Sequence, residues 1–277
     1  MMTEKCKITV LVAAYILAMT SLSGSAVAQS TSASGKSDTQ DAANAGGNKA
    51  ESTSMKHVND AVAVVHRMES EPGMNNLLQQ AKGVFIVPSY GRVALGVGGS
   101  GGAGVLLARR DDGTWSDPAF YNIGAISIGV QAGAEGGPIA MVLNNEKAVN
   151  HFMQKNNFSL SADAGLTVVN WEKMAQGSAG TGDVVAWAGN KGLFGNVASI
   201  GVNDIRFNQK QNDAYYHQTV AVKDVISGKV KNPQADTLKQ ALAATSTGTA
   251  SGSSGTSPAR GTSGGSSDST VTPDSKK

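Results

Sequence analysis

Gly96-Val97-Gly98-Gly99-Ser100-Gly101-Gly102-Ala103-Gly104-Val105-Leu106-Leu107 carries no charge and places glycines among small and apolar residues. Its flanks, Arg92 to Gly99 and Gly104 to Arg110, read as two strands. Glycine weakens a strand, so this density signals tight bends, bulges or close backbone approach. Within a small barrel it also leaves interior space, either filled from elsewhere or open as a ligand cavity.

Outward from this stretch the β pattern continues. Val84-Phe85-Ile86-Val87 is a short apolar strand ended by Pro88-Ser89. Asp111-Asp112-Gly113-Thr114 is a turn with a glycine free to take positive φ. Phe120 to Ala134 alternates, with Ile126, Ile128 and Val130 on one face and Ser127, Gly129 and Gln131 on the other. Gly136-Gly137-Pro138 breaks it before a strand over Ile139–Leu143. Further strands are expected at 158–164, 166–171, 184–188 and 193–202.

Helices bracket these strands. Met55, Val58, Val62, Val65 and Met68 recur at helical spacing, and Glu71-Pro72-Gly73 stops that helix. A shorter one follows over 74–81. Asn144 or Asn145 caps another that runs to about Lys155. Helical turns are expected at 212–216 and 223–226, and Pro233 starts a last helix with Ala235, Leu238 and Leu242. The fold class is therefore α+β, mainly β: a glycine-rich antiparallel barrel-like or calyx-like sheet with flanking helices.

The remaining residues set the domain plan. Lys5 and Lys7 precede a mostly apolar run, Ile8 to Met19, and Ala26-Val27-Ala28 forms a small-residue cleavage site, so residues 1–28 read as a signal peptide. The apolar run is shorter than the roughly 20 residues a membrane span needs; an uncleaved anchor is the alternative. Cys6 lies inside this segment and lacks the apolar residues of a lipobox, leaving no thiol after cleavage. A periplasmic or secreted product is expected. Residues 29–54 read as a tether, 55–243 as one folded domain, and 244–277 as a disordered Ser/Gly/Thr-rich tail. Of 23 basic and 21 acidic side chains, the signal removes Lys5, Lys7 and Glu4, leaving 21 against 20. So balanced a charge argues against bulk capture of nucleic acid.

Several motifs carry letters without their context. Gly99-Ser100-Gly101-Gly102-Ala103-Gly104 matches a dinucleotide fingerprint, and Gly98 to Gly102 a nucleophile elbow, but both need a helix next, and only Val105 to Arg110 follow before a turn. His57, His66, His151 and His217 show no metal-ligand spacing. No catalytic residue, metal or cofactor is expected. Trp115-Ser116-Asp117-Pro118-Ala119-Phe120-Tyr121 is the densest aromatic stretch. It reads either as a core plug, with Ser116 or Asp117 bonding the turn backbone, or as the wall of a lipid pocket. Lys82, Arg92, Arg109 and Arg110 fall at strand ends, as solvated surface or as a cationic rim for phosphate oxygens. Lys56 and Arg67 give the first helix basic charge beside its apolar stripe, the pattern of an interface-lying helix, although packing on its own domain is commoner.

Five segments together resemble a known family: 81–89 from Ala81-Lys82-Gly83; 96–107 as quoted; Trp115 to Tyr121; Ser127-Ile128-Gly129-Val130-Gln131-Ala132-Gly133-Ala134; and Asn145-Glu146-Lys147-Ala148. In that order they are similar to the SYLF domain, also described as an actin-binding-type domain, across 55–243, and the export signal suggests a bacterial exported member. The resemblance implies non-enzymatic binding of phospholipids, phosphoinositides in eukaryotic members, and of actin in fungal ones. The expected ligand is an anionic phospholipid or fatty acid at a membrane surface, with a protein-interaction role as the alternative and a serine hydrolase less favoured. Lys82, Arg92 and Arg109 would meet the head group, Trp115, Phe120 and Tyr121 would wall the pocket, and Ile126, Ile128 and Val130 would bury the acyl chain at about 0.8 kcal/mol per CH₂.

Overall fold

The computed structural model describes residues 37–154, 157–160, 165–178, 180–190 and 202–247. Chain contacts divide the protein into residues 1–42 and 43–277; of the first unit only the opening turn of a helix is described. The expected signal peptide, most of the tail, and the strand expected at 193–201 lie outside the described residues.

The order is α1 (Ser37–Glu69), α2 (Met74–Gln80), β1 (Gly83–Ala108), β2 (Ala119–Leu143), α3 (Glu146–Gln154), β3 (Asn157–Leu160), β4 (Val168–Asn170), α4 (Trp171–Ala175), β5 (Val184–Ala188), β6 (Val202–Phe207), α5 (Gln209–Tyr216), α6 (Val222–Ile226), a 3₁₀ turn (Pro233–Ala235) and α7 (Asp236–Thr247). The sheet order is β3-β6-β2-β5-β4, with β1 also on β2. The sheet curls into a half-barrel. The expected α+β class and barrel-like curl hold. One pair departs from the antiparallel expectation: β4 runs parallel to β5, because α4 and the loop after it return the chain to the same end.

The centre is a long ribbon. Where three short strands were expected before the turn, β1 is continuous, and it pairs with β2 from Gly83↔Leu143 to Leu106↔Ala119. Pro88, expected to end a strand, sits at a register shift between Val87 and Tyr90, where a missing N–H is tolerated. Gly136 and Gly137 pair with Gly91 and Tyr90 instead of breaking β2. The connection closes as expected: Gly113 takes φ 80°, Arg110 N donates to Thr114 O at 2.8 Å, and Asp112 Oδ1 accepts from Thr114 N at 2.8 Å.

The ribbon is doubled over. Its tip returns to its root, where Arg109 N donates to Lys82 O at 2.8 Å, and Tyr90 Oη donates to Ser100 Oγ at 2.8 Å. The glycines make this possible by close approach, not by leaving space. A Cβ on Gly102 would lie 2.7 Å from Ser89 O, and one on Gly104 2.5 Å from Ile86 O. Around the doubled ribbon, Val84–Val87, Val105–Leu107, Phe120, Tyr121, Ile139–Leu143 and Val184–Trp187 form a continuous core, covered by Val58, Val65 and Met68 of α1 and Leu238 and Leu242 of α7. Phe85, Tyr121, Phe152 and Phe158 pack edge to face or tilted at centroid distances from 4.8 to 6.0 Å.

Three boundaries differ from the sequence reading. The tether expected over 29–54 is helical from Ser37. Residues 37–54 have little to bury, but they lack proline and include four alanines, so the helix propagates back from its apolar stripe. Ser54 is fully buried, its Oγ 3.2 Å from Gln211 O. At the other end α7 runs to Thr247, past the expected limit of 243, and Thr245 is buried. The strand expected over 166–171 ends early because Asn170 caps α4, its Oδ1 accepting from Glu172 N at 2.8 Å and Lys173 N at 3.3 Å. Asn145 is the cap of α3, accepting from Ala148 N.

One side chain extends the sheet. Asn212 on α5 is fully buried. Its Oδ1 accepts from Phe120 N at 3.0 Å and its Nδ2 donates to Phe120 O at 2.9 Å, so the amide pairs with β2 as a strand residue would. Asn212→Ala is expected to cost about 2 kcal/mol, since a buried N–H is left without its acceptor, read as a lower urea midpoint at unchanged m-value.

Candidate functional site

The expected cationic rim does not assemble. Lys82 and Arg109 are neighbours at the root of the ribbon. Arg92 pairs with Glu135 in register beyond the Tyr90–Ser100 clamp, ten residues from Lys82, a contour of roughly 33 Å at about 3.3 Å per strand residue. Arg109 is committed internally: Nε donates to Ala81 O and Nη2 to Leu78 O, each at 3.1 Å, and the guanidinium lies 4.5 Å from the centroid of Trp115. It ties the end of α2 to the turn. Lys82 is exposed, 3.8 Å from Glu146 Oε1 on α3.

The aromatic segment takes the core position of its two readings. Trp115, Phe120 and Tyr121 are buried. Burial pushes the Tyr121 hydroxyl well above the ordinary tyrosine value, and it donates to Phe152 O at 2.8 Å. Ser116 Oγ accepts from Ala108 N and donates to Asp117 O. Asp117, 2 % exposed, accepts from Asn232 N at 2.6 Å and pairs with Lys239 Nζ at 2.7 Å. Tyr216 Oη donates to Pro118 O. This connection is thus the anchor for the helices that end the domain. Sequence reasoning missed Asn212, Asn232 and Lys239, because each meets its partner about ninety residues or more along the chain and has no local signature.

The described interior is packed, so the hollow expected from the glycines is filled by the ribbon's own doubling. Ser100 lies within β1, so neither an elbow nor a phosphate-binding turn forms there. His57 Nδ1 is 2.8 Å from Gln211 Nε2, and desolvation holds its pKa below the ordinary value. No cluster of three metal-ligating side chains occurs among the described residues.

Two surfaces stand out among the described residues. The first is the bend of the ribbon. Residues 93–104 and 124–134 contain no charged side chain, and Ile126 and Ile128 pair through their backbones with Gly99 and Val97 there; Val130 belongs to the same part of β2. Val93 is 59 % exposed, the one exposed large apolar side chain among the described residues. It lines a shallow groove of about 600 Å³ with Gly91, Gly99, Gly101 and Glu135. The second is a cleft of about 720 Å³ between α2 and α4, walled by Asn76, Leu77, Gln80, Asn145, Trp171 and Met174. At its edge both oxygens of Asp183 are engaged, accepting from Asn145 Nδ2 at 2.6 Å and Thr167 N at 2.7 Å; these bonds hold its carboxyl below the usual carboxylate range. Asn144 Nδ2 donates to Gly182 O, while its buried Oδ1 lacks a partner among the described residues.

The family described as "Ysc84: Las17-binding protein actin regulator" matches residues 124–245. Protein YSC84 of Saccharomyces cerevisiae is 29 % identical over 164 residues, 57 % of this chain and 35 % of the relative. LAS seventeen-binding protein 3 of the same species is 30 % identical over 165 residues, 58 % and 36 %. SH3 domain-containing YSC84-like protein 1 of Bos taurus is 27 % identical over 171 residues, 60 % and 50 %. The matching part spans a third to a half of these relatives' length. No solved structure matches. Over residues 124–245 the chain is similar to the Ysc84, or SYLF, family.

Proposed function

We propose that this chain is a non-enzymatic binding domain whose ligand is a phospholipid surface, met by the bend of the ribbon. The family description and the printed name LAS seventeen-binding protein 3 speak of binding and regulation, not of a reaction. The observation that carries the lipid reading is the uncharged double strand at the bend, with Val93 exposed upon it. A contiguous uncharged projection is costly to leave in water and at home in the interfacial region of a bilayer. Arg92 immediately precedes it in sequence and is the head-group cation of this reading. Lys82, at the ribbon's root, and Arg109, bonded internally, are not part of it. The acyl chain is met at the surface in this reading, since the described interior is packed. The basic start, apolar run and Ala26-Val27-Ala28 of residues 1–28 support a periplasmic or secreted setting.

Co-sedimentation with phosphatidylcholine vesicles, with and without phosphatidylglycerol, tests the reading. Wild type is expected in the pellet, more so with the anionic lipid. Val93→Asp is expected to lower the partition constant at least about tenfold, because burying one valine is worth about 1.5 kcal/mol or more. A wild-type protein that stays in the supernatant with both vesicles refutes the proposal.

A further inference from the structure

We propose that the cleft between α2 and α4 binds a short, uncharged, extended peptide segment of a protein partner. The chemistry of its lining selects the ligand. Asn76 and Gln80 stand four residues apart on α2 and are exposed, so they share one helical face. Neither side chain makes a hydrogen bond among the described residues. Each side-chain amide offers a donor and an acceptor together, the same pair that a peptide group presents. Phosphate or carboxylate ligands instead call for cations, and the described lining contains no Lys, Arg or His. Its one carboxylate, Asp183, accepts two hydrogen bonds and has Lys147 Nζ at 3.9 Å, so its charge is already partly matched within the chain.

The apolar part of the cleft points the same way. Leu77 and Met174 are only partly covered by the core. They form a seat for one large apolar side chain, with methionine adapting to its shape. A carbohydrate shares the hydrogen-bonding pattern but needs an open aromatic face, and Trp171 is 5 % exposed, too little to serve as one. The volume, about 720 Å³, lies in the range of small-ligand and peptide pockets.

Phage-displayed random heptapeptides panned against the full chain provide the probe. Enriched sequences are synthesised with a fluorophore, and their Kd is measured by polarisation. The expected consensus is uncharged with one large apolar residue. Kd is expected to weaken at least tenfold in Asn76→Ala/Gln80→Ala and in Met174→Glu, with circular dichroism confirming that both variants fold. Vesicle association of these variants stays at the wild-type level, so this inference and the lipid reading fail separately. Absence of enrichment, a charged consensus, or equal Kd in wild type and variants overturns the proposal. So does glycan-array binding that the Asn76/Gln80 variant abolishes while no peptide is enriched.

Discussion

Gly104→Ala is expected to destabilise the domain by about 3 kcal/mol, the upper end of the usual cost of overpacking. The added Cβ would stand 2.5 Å from Ile86 O, 2.7 Å from Val87 Cγ2 and 2.9 Å from Phe85 Cε2. The first of these is backbone inside a paired strand and has no rotamer with which to yield. Relief requires the two halves of the ribbon to separate, and that opens the core between Phe85 and Tyr121. In a domain of this size the change corresponds to a drop in Tm of roughly 6 to 12 °C. Gly99→Ala is the matched control: a Cβ there meets nothing within 4 Å, and its stability is expected to stay within about 0.5 kcal/mol of wild type. Equal melting of the two variants would show that the halves of the ribbon do not approach as described.

Asp117→Ala is expected to cost about 3 to 5 kcal/mol, the range for breaking a buried ion pair from one side. The carboxylate is the shared acceptor for Asn232 N and Lys239 Nζ, so its removal orphans a buried backbone donor and a largely covered ammonium together. Lys239 keeps Asp236 at 2.8 Å, which softens the loss on that side only. The urea midpoint of Asp117→Ala, Lys239→Met and the double variant decides the matter. A double variant more stable than Asp117→Ala alone identifies the unpaired lysine as part of the penalty. If Asp117→Ala melts with wild type, the connection between β1 and β2 is not the anchor for the terminal helices.

The local rules were legible in the sequence. Asn145 capping α3, Gly113 in the turn, Pro233 opening the last helical segment and the Val58, Val65, Met68 stripe each depend on neighbours within a few residues. The α+β class followed from their sum, while the resemblance to the SYLF domain rested on the five quoted segments. What depended on distant partners was not legible. The glycines between Gly96 and Gly104 were compatible with either a hollow or a close approach. Only the position of Val87 and Ser89 against Gly102 selects the second. Lys82, Arg92 and Arg109 looked alike as strand-end cations, yet doubling of the ribbon sets the first and third side by side and sends Arg92 to the far end. Ser37–Ser54 looked unable to fold because its own composition buries little; the burial of Ser54 comes from Gln211.

The register of the ribbon also dictates an order of assembly. Leu106 faces Ala119 across a short connection, whereas Gly83 must wait for Leu143. From the unpaired chain, each rung farther from the turn would close a longer loop, so pairing is least costly when it zips outward from Asp111–Thr114. Doubling over then brings Lys82 to Arg109 only after both strands exist. Such non-local contact order slows folding, and it leaves the uncharged strands bare while the chain is still immature.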